Sequence, residues 1–99
     1  MPKKNIKWDV KKNNELFEAI LSLKTKDECN KFFRDLCTLE EMTDLGDRWQ
    51  MVKLIVKGVS YRDISEKLKV STTTVARVAN WINQGKGGYQ LIINRLKLK

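Results

Sequence analysis

Apolar residues recur every three or four positions along this chain, a spacing that places side chains on one face of an α-helix. The clearest case is an eighteen-residue stripe made of Leu39, Met42, Leu45, Trp49, Val52, Ile55 and Val56. It predicts a long helix that opens at Thr38 and ends at Gly58, because glycine tolerates the positive φ that follows a helix end. The pattern as a whole predicts an all-α fold.

Two shorter amphipathic helices are predicted before the long one. Apolar residues with helical spacing cover residues 10–23, and a second group follows Thr25, whose hydroxyl can cap a helix. Glu28 lies three residues after Thr25 and completes a capping box, in which each side chain accepts from the other residue's N–H. Thr38 and Glu41 repeat this pattern at the start of the long helix.

Two further helices with a very tight turn between them are predicted after the long one. Ser60 caps the first of them, and that helix must stop near Lys69 because Ser71 caps the next. The second helix then runs from Thr72 to about residue 83. Short helices joined so closely are typical of a helix-turn-helix. The small core between them would consist of Ile64, Leu68, Val70, Val75 and Val78.

The second helix of this motif carries hydrogen-bonding side chains on its exposed face. In a helix-turn-helix, its first residues face base edges in the major groove, and its free N–H groups attract a phosphate. The candidate DNA-binding residues are Ser71, Thr72, Thr73, Thr74, Arg77 and Asn80, together with Lys69 in the turn. Lys69 stands where such turns usually have glycine, and a left-handed conformation there would cost about 1 kcal/mol.

The charge of the chain agrees with a polyanionic partner. Twenty lysines and arginines against twelve acidic residues give a net charge of +8, with no histidine. Such a protein favours polyanions, of which double-stranded DNA is one, because binding releases the counterions that are condensed on the phosphate chain; the alternative is a merely soluble basic domain. Residues 1–9 form a basic arm, which is either a frayed, solvated terminus or a phosphate contact. The first twelve positions contain Lys3, Lys4, Lys7, Lys11 and Lys12.

The residue types in this sequence give little support for an enzyme or a membrane protein. With no histidine there is no obvious general base, so we predict no enzyme, and neither a cofactor nor a metal site. Cys29 and Cys37 lie eight residues apart, about 12 Å along a helix, too far for a disulfide. We interpret both as reduced core residues of a cytoplasmic protein. No apolar run is long enough for a membrane span or a secretory signal.

We predict one helical DNA-binding domain over residues 1–99. Residues 10–58 would supply dimerisation helices, residues 60–83 the helix-turn-helix and residues 89–98 a C-terminal helix, after a glycine-rich break. A monomer of this size is only marginally stable, and its apolar faces favour pairing with a second copy. The alternative is a protein-interaction adaptor that uses the helix-turn-helix surface, marked by weak and non-saturable DNA binding.

These segments resemble the Trp repressor family, in particular its YerC/YecD-type branch. The matching residues are Leu45-Gly46-x-Arg48, Lys57-Gly58, Ser60-x-Arg62-Asp63-Ile64 and the run from Ser71 to Arg77. The resemblance implies about six helices in an intertwined homodimer that regulates transcription, more often as a repressor. By matched position, Arg62 would contact DNA from the first motif helix, and Thr72 to Thr74 would lie at the major groove.

The resemblance also implies an effector site, which this chain alters. In the family, free tryptophan lies between two arginines that match Arg48 and Arg77, and a threonine matching Thr38 lines the site from the other subunit. Val78 stands where the repressor has a small residue, and Trp81 where it has a serine that helps to hold the ligand. The chain's own indole would fill the space of the free one. A tryptophan response is therefore not predicted, and any small-molecule effector stays unknown.

Overall fold

The structure is a computed structural model that describes residues 6–99. These residues contain six α-helices and no β-strand. The helices are α1 (Val10–Leu21), α2 (Lys26–Leu36), α3 (Leu39–Val56), α4 (Tyr61–Leu68), α5 (Thr72–Gln84) and α6 (Gly88–Leu96). The predicted all-α class with about six helices is confirmed. The chain forms two compact units, one that ends at Thr38 and one from Leu39 to Lys99. Among the described helices, none is long and apolar enough to cross a membrane.

The first unit contains α1 and α2, and neither helix has a fully buried residue. α1 begins after Asp9, whose carboxylate accepts from the backbone N–H of Lys12 at 3.0 Å. The prediction that this helix reaches residue 23 is wrong by two residues, because it ends at Leu21 and Ser22 forms its C-cap. Of the predicted basic arm, residues 1–5 lie outside the described part, and residues 6–9 are exposed and non-helical.

The capping box predicted at the start of α2 is only half formed. The Thr25 hydroxyl accepts from the Glu28 N–H at 3.1 Å, as the pattern predicts. The Glu28 carboxylate, however, accepts from the N–H of Lys24 at 2.9 Å, one residue before the expected donor. Both side chains still satisfy backbone donors that helix geometry leaves unpaired.

One of the two cysteines predicted to be core residues is exposed in the first unit. Cys29 is exposed and Cys37 is half-buried, and both thiols are free. The expectation of a core position is therefore wrong for Cys29. Trp8 keeps 73% of its surface exposed, although its ring packs against Phe17 at 6.3 Å between centroids. The apolar side chains of this unit thus remain largely in contact with solvent in the single chain.

The second unit is built around α5, against which α3, α4 and α6 pack. The predicted core residues Val75 and Val78 of α5 are buried, and Ala79 and Ile82 of the same helix are buried with them. Met51 and Val52 of α3, Ile64 of α4 and Ile93 of α6 complete the core around them. Burial of an aliphatic side chain of this size stabilises a fold by about 1.5–3 kcal/mol, so α5 is the main contributor to the stability of the unit.

α3 is buried only over its C-terminal half. Met51 and Val52 are almost fully buried, whereas Leu39 and Leu45 are 69% and 42% exposed. Met51 lies outside the apolar stripe that predicted this helix. It is buried because α4 and α5 both pack against α3, so that the covered face is wider than one stripe. The N-terminal half of the stripe is left uncovered within the unit.

The glycine-rich segment after α5 joins this helix to α6, and the local backbone requires glycine at two of its positions. Gly85 follows the last residue of α5, and a Cβ added there would collide with the carbonyl oxygen of Trp81. Gly87 has a φ of 88°, a left-handed conformation that glycine adopts without strain. α6 was predicted over residues 89–98 but ends at Leu96, since Lys97 turns left-handed with a φ of 54°.

A three-residue turn joins α4 to α5, and Lys69 is its left-handed residue, with φ 57° and ψ 45°. The Ser65 carbonyl accepts from the N–H groups of Lys69 and Val70, the latter at 3.2 Å. In return, the Ser65 hydroxyl donates to the carbonyl of Val70. The turn therefore does place Lys69 in the left-handed conformation, with the cost that this conformation carries for a residue other than glycine. Ser65 closes the turn through hydrogen bonds on both sides.

We predict that Lys69→Gly raises the free energy of unfolding by up to about 1 kcal/mol, because glycine removes the left-handed penalty of a side chain. That gain corresponds to a rise of about 4–8 °C in Tm for a domain of this size. The matched control is Lys67→Gly, two residues earlier and inside α4, which should lower stability by about 1 kcal/mol. Urea unfolding followed by circular dichroism measures the stability of both variants. A loss of stability in Lys69→Gly would contradict the view that Lys69 is strained.

Candidate nucleic-acid interface

The ends of α4 and α5 are defined by their N-caps. The Ser60 hydroxyl accepts from the N–H of Asp63 at 3.1 Å, and the Ser71 hydroxyl accepts from the N–H of Thr74 at 3.1 Å. Each cap satisfies a backbone donor that a helix start would otherwise leave unpaired. With the closed turn at Lys69 between them, the two helices have fixed limits and a fixed connection.

The angle between α4 and α5 is maintained by the core that they share. Ile64 from α4 and Val75 from α5 have no exposed surface, and Val78 has 1%. Leu68 and Val70 are partly buried and pack against the same cluster. Because a close-packed interior resists deformation, the exposed face of α5 is presented by a rigid support.

Three exposed residues of α5, Thr73, Arg77 and Asn80, share one helical face, and Thr72 is exposed beside it. Thr72 and Thr73 lie at the N-terminal end of the helix, Arg77 about one turn further on and Asn80 one turn beyond that. Ser71 and Lys69 precede this face and are also exposed. The structure therefore brings the residues predicted on α5 together on one solvent-exposed surface, with the exception of Thr74.

Thr74 differs from its two neighbouring threonines. It is half-buried, and its hydroxyl lies 2.8 Å from the hydroxyl of Ser71. Within the part of the chain that the structure describes, the hydroxyls of Thr72 and Thr73 have no such partner. In this structure Ser71 and Thr74 share their hydroxyls in the cap of α5, whereas Thr72 and Thr73 present theirs to solvent. A DNA contact by each of them stays a prediction.

Arg62 lies on the exposed surface of α4, where its Nε is 3.5 Å from the Oε1 atom of Glu66. The two side chains are 85% and 68% exposed. Glu66 was not among the residues singled out from the sequence. Its position four residues after a candidate DNA-contacting arginine was the available signal, since side chains at that spacing meet on a helix.

The three residues matched to the effector site are all exposed in the single chain. Arg48 and Arg77 belong to the second unit and Thr38 to the first. A simple structural role for Arg48 would be an ion pair with Asp44 or Asp47. Neither carboxylate lies within 4.0 Å of its guanidinium among the described ion pairs.

The two positions that depart from the family's effector site have different environments. Val78 is 1% exposed and belongs to the core of the second unit. Trp81 is 43% exposed. The valine thus occupies packed space, while the indole lies at the surface of the single chain. That the Trp81 indole fills an effector site completed by a second subunit stays a prediction.

The chain matches a known family along most of its length. The family model described as Trp repressor protein matches residues 11–97. The uncharacterized protein YerC of Bacillus subtilis (strain 168) is 37% identical over 87 residues, which is 88% of this chain and 84% of YerC.

Two solved structures agree with the fold. A TrpR-like protein from Eubacterium eligens ATCC 27750 has a TM-score of 0.81 at 41% identity, over 86% of this chain and 88% of that one. A protein from Staphylococcus aureus that is provisionally assigned as a Trp repressor has a TM-score of 0.80 at 38% identity, over 87% and 86% of the two chains.

Proposed function

The chain belongs to the Trp repressor family, and from that premise we propose that it is a cytoplasmic, sequence-specific DNA-binding regulator of transcription, most simply a repressor. The observation that carries the proposal is the exposed polar face of α5, supported by a buried core and a closed turn. The net charge of +8 supports the same partner, because it attracts the phosphate chain of DNA.

Each exposed group has a chemical counterpart on DNA. The hydroxyls of Thr72 and Thr73 can bond to base edges, and the Asn80 amide can pair with adenine in the major groove. The Arg62 guanidinium has the two-pronged geometry that guanine accepts. Lys69 and Arg77 would neutralise phosphates, which positions the protein without reading sequence.

A homodimer is the second part of the proposal. Large apolar side chains are exposed on both units of the single chain, including Leu21, Leu39 and Leu96. Contact between so many apolar groups and water is unfavourable, and association with a second copy would bury these groups. A dimer would also present two α5 helices related by a twofold axis, as a palindromic DNA site requires.

We predict that the chain sediments at low micromolar concentration as a species of twice its 11.6 kDa mass. The exposed leucine Leu39 provides the variant, because Leu39→Glu would place a charge in the buried surface between the copies. The expected result is a shift of the variant toward monomer. A wild-type chain that sediments only as the 11.6 kDa species would contradict the dimer.

We predict that wild-type protein enriches a twofold-symmetric site from a pool of random DNA, with half-sites roughly 34–36 Å apart or a multiple of that spacing. Arg62→Ala should then lose about 1–3 kcal/mol of affinity for the enriched site if the arginine reads a base. The loss on random DNA should be much smaller. Equilibrium binding at fixed salt concentration measures both.

Arg62→Lys is the matched control for this prediction, because it keeps the positive charge but lacks the planar fork. It should resemble Arg62→Ala on the enriched site and wild type on random DNA. Equal losses on both DNAs would make Arg62 a phosphate contact. A pool that enriches no site would instead favour a protein-interaction adaptor.

The residues present do not fit the family's free tryptophan. Val78 takes up packed space beside Arg77, where the resemblance implies a small residue, and a buried position accepts extra atoms only with strain. Trp81 replaces the serine expected to hold the ligand. A ligand that does not bind cannot shift the DNA-binding equilibrium. We therefore propose that this regulator works without tryptophan, and that Arg77 is available to DNA.

We predict that L-tryptophan gives no saturable heat in calorimetric titration at millimolar concentrations and leaves the DNA affinity unchanged. Arg77→Ala should weaken binding on all DNA sequences and reduce the salt dependence by about one unit of slope, as loss of a phosphate contact does. Saturable heat with one site per subunit would show instead that tryptophan has room to bind. Trp81→Ser, which restores the residue type implied by the family, reports whether this indole alone blocks the ligand.

A further inference from the structure

We propose that Glu66 is a positioning residue for Arg62 and thereby sets the preference of this arginine for guanine. This inference rests on the proposed function, since it concerns how the same surface reads DNA. The observation is the contact between the Arg62 Nε and the Glu66 Oε1 at 3.5 Å across one turn of α4.

The pair is poorly placed for stabilising α4. Arg62 lies in the first turn, where the positive end of the helix dipole disfavours a cation, and Glu66 lies in the last turn, where the negative end disfavours an anion. The order is also the weaker one, because a carboxylate stabilises best when it precedes the cation by four residues. Both side chains are largely exposed, where an ion pair contributes little. Helix stability therefore does not explain this arrangement.

A carboxylate on this surface also opposes non-specific DNA binding. Glu66 lies beside a residue that would approach the DNA, and its negative charge would repel the phosphate chain. The chain as a whole carries an excess of cations, so an anion at this position stands against the general charge of the protein. On this proposal, its benefit concerns which DNA is bound.

The atoms in contact indicate what that benefit is. Glu66 engages the Nε–H of Arg62, which leaves the two Nη groups at the outer end of the guanidinium. Those two groups are the donors that pair with the O6 and N7 acceptors of guanine. A guanidinium restricted in this way before binding loses less freedom when it reaches the base. Glu66 thus favours the two-pronged contact over a diffuse attraction to phosphate.

The test compares wild type with Glu66→Gln on two DNAs, the site enriched by wild type and random DNA of the same length. The expected ratio of the two affinities falls about twofold, because an exposed ion pair at this spacing restricts the arginine only weakly before binding. Affinity for random DNA rises or stays level, because a negative charge has been removed. The preference at the guanine position relaxes in a selection repeated with the variant.

Asp27→Asn is the matched control, because Asp27 forms an exposed ion pair with Lys31 at the same spacing, 3.1 Å apart, on α2. It changes the net charge by the same amount and should leave the affinity ratio unchanged. Thermal unfolding of both variants should match wild type, since exposed pairs at this spacing contribute little to stability.

The double variant Arg62→Ala with Glu66→Gln separates positioning from direct reading. If Glu66 acts through Arg62, the glutamate change has no effect on the ratio once the arginine is absent. A further loss of ratio in the double variant would overturn the proposal, because Glu66 would then contact a base such as cytosine itself. A parallel rise on both DNAs in Glu66→Gln would overturn it as well. If wild type enriches no site, the proposed function fails first and this inference fails with it.

Discussion

The turn between α4 and α5 is the constraint on which the exposed surface of this protein depends. Its geometry requires a left-handed residue, and this chain places a lysine there instead of glycine. The strain is tolerated because Ser65 accepts two backbone N–H groups and returns its own hydroxyl to the turn. With the turn closed, the caps at Ser60 and Ser71 define where each helix starts, and the shared core determines which side of α5 faces outward.

Burial in the single chain is uneven between its two units, and the proposed homodimer follows from this difference. Among residues 6–99, the buried core lies entirely within the unit that begins at Leu39. The first unit and the start of α3 expose apolar side chains that in a finished protein are more often covered. The polar face of α5 is thus supported by a core of its own, while the remaining apolar surface is the one on which the proposed homodimer depends.

Local sequence patterns predicted the helices well, because helix periodicity and capping depend on residues close together in the chain. The caps at Ser60 and Ser71 and the burial of Val75 and Val78 follow directly from such patterns. The errors have non-local causes. Met51 is buried by two neighbouring helices at once, and Cys29 is exposed because no element of its own unit covers it. For the candidate site, exposure could be predicted from helical spacing, but the Ser71–Thr74 and Arg62–Glu66 contacts depend on rotamers that sequence does not specify.

The lack of a core in the first unit also has a consequence during synthesis. α1 and α2 leave the ribosome before the rest of the chain, yet neither contains a buried residue. At a rate of about 5–20 residues per second, the residues after Thr38 take roughly 3–12 s to be made. Until those residues are made, the apolar side chains of the first unit have no core of their own to enter. Early contact with a chaperone, or with another nascent copy on the same messenger RNA, would therefore favour a soluble product.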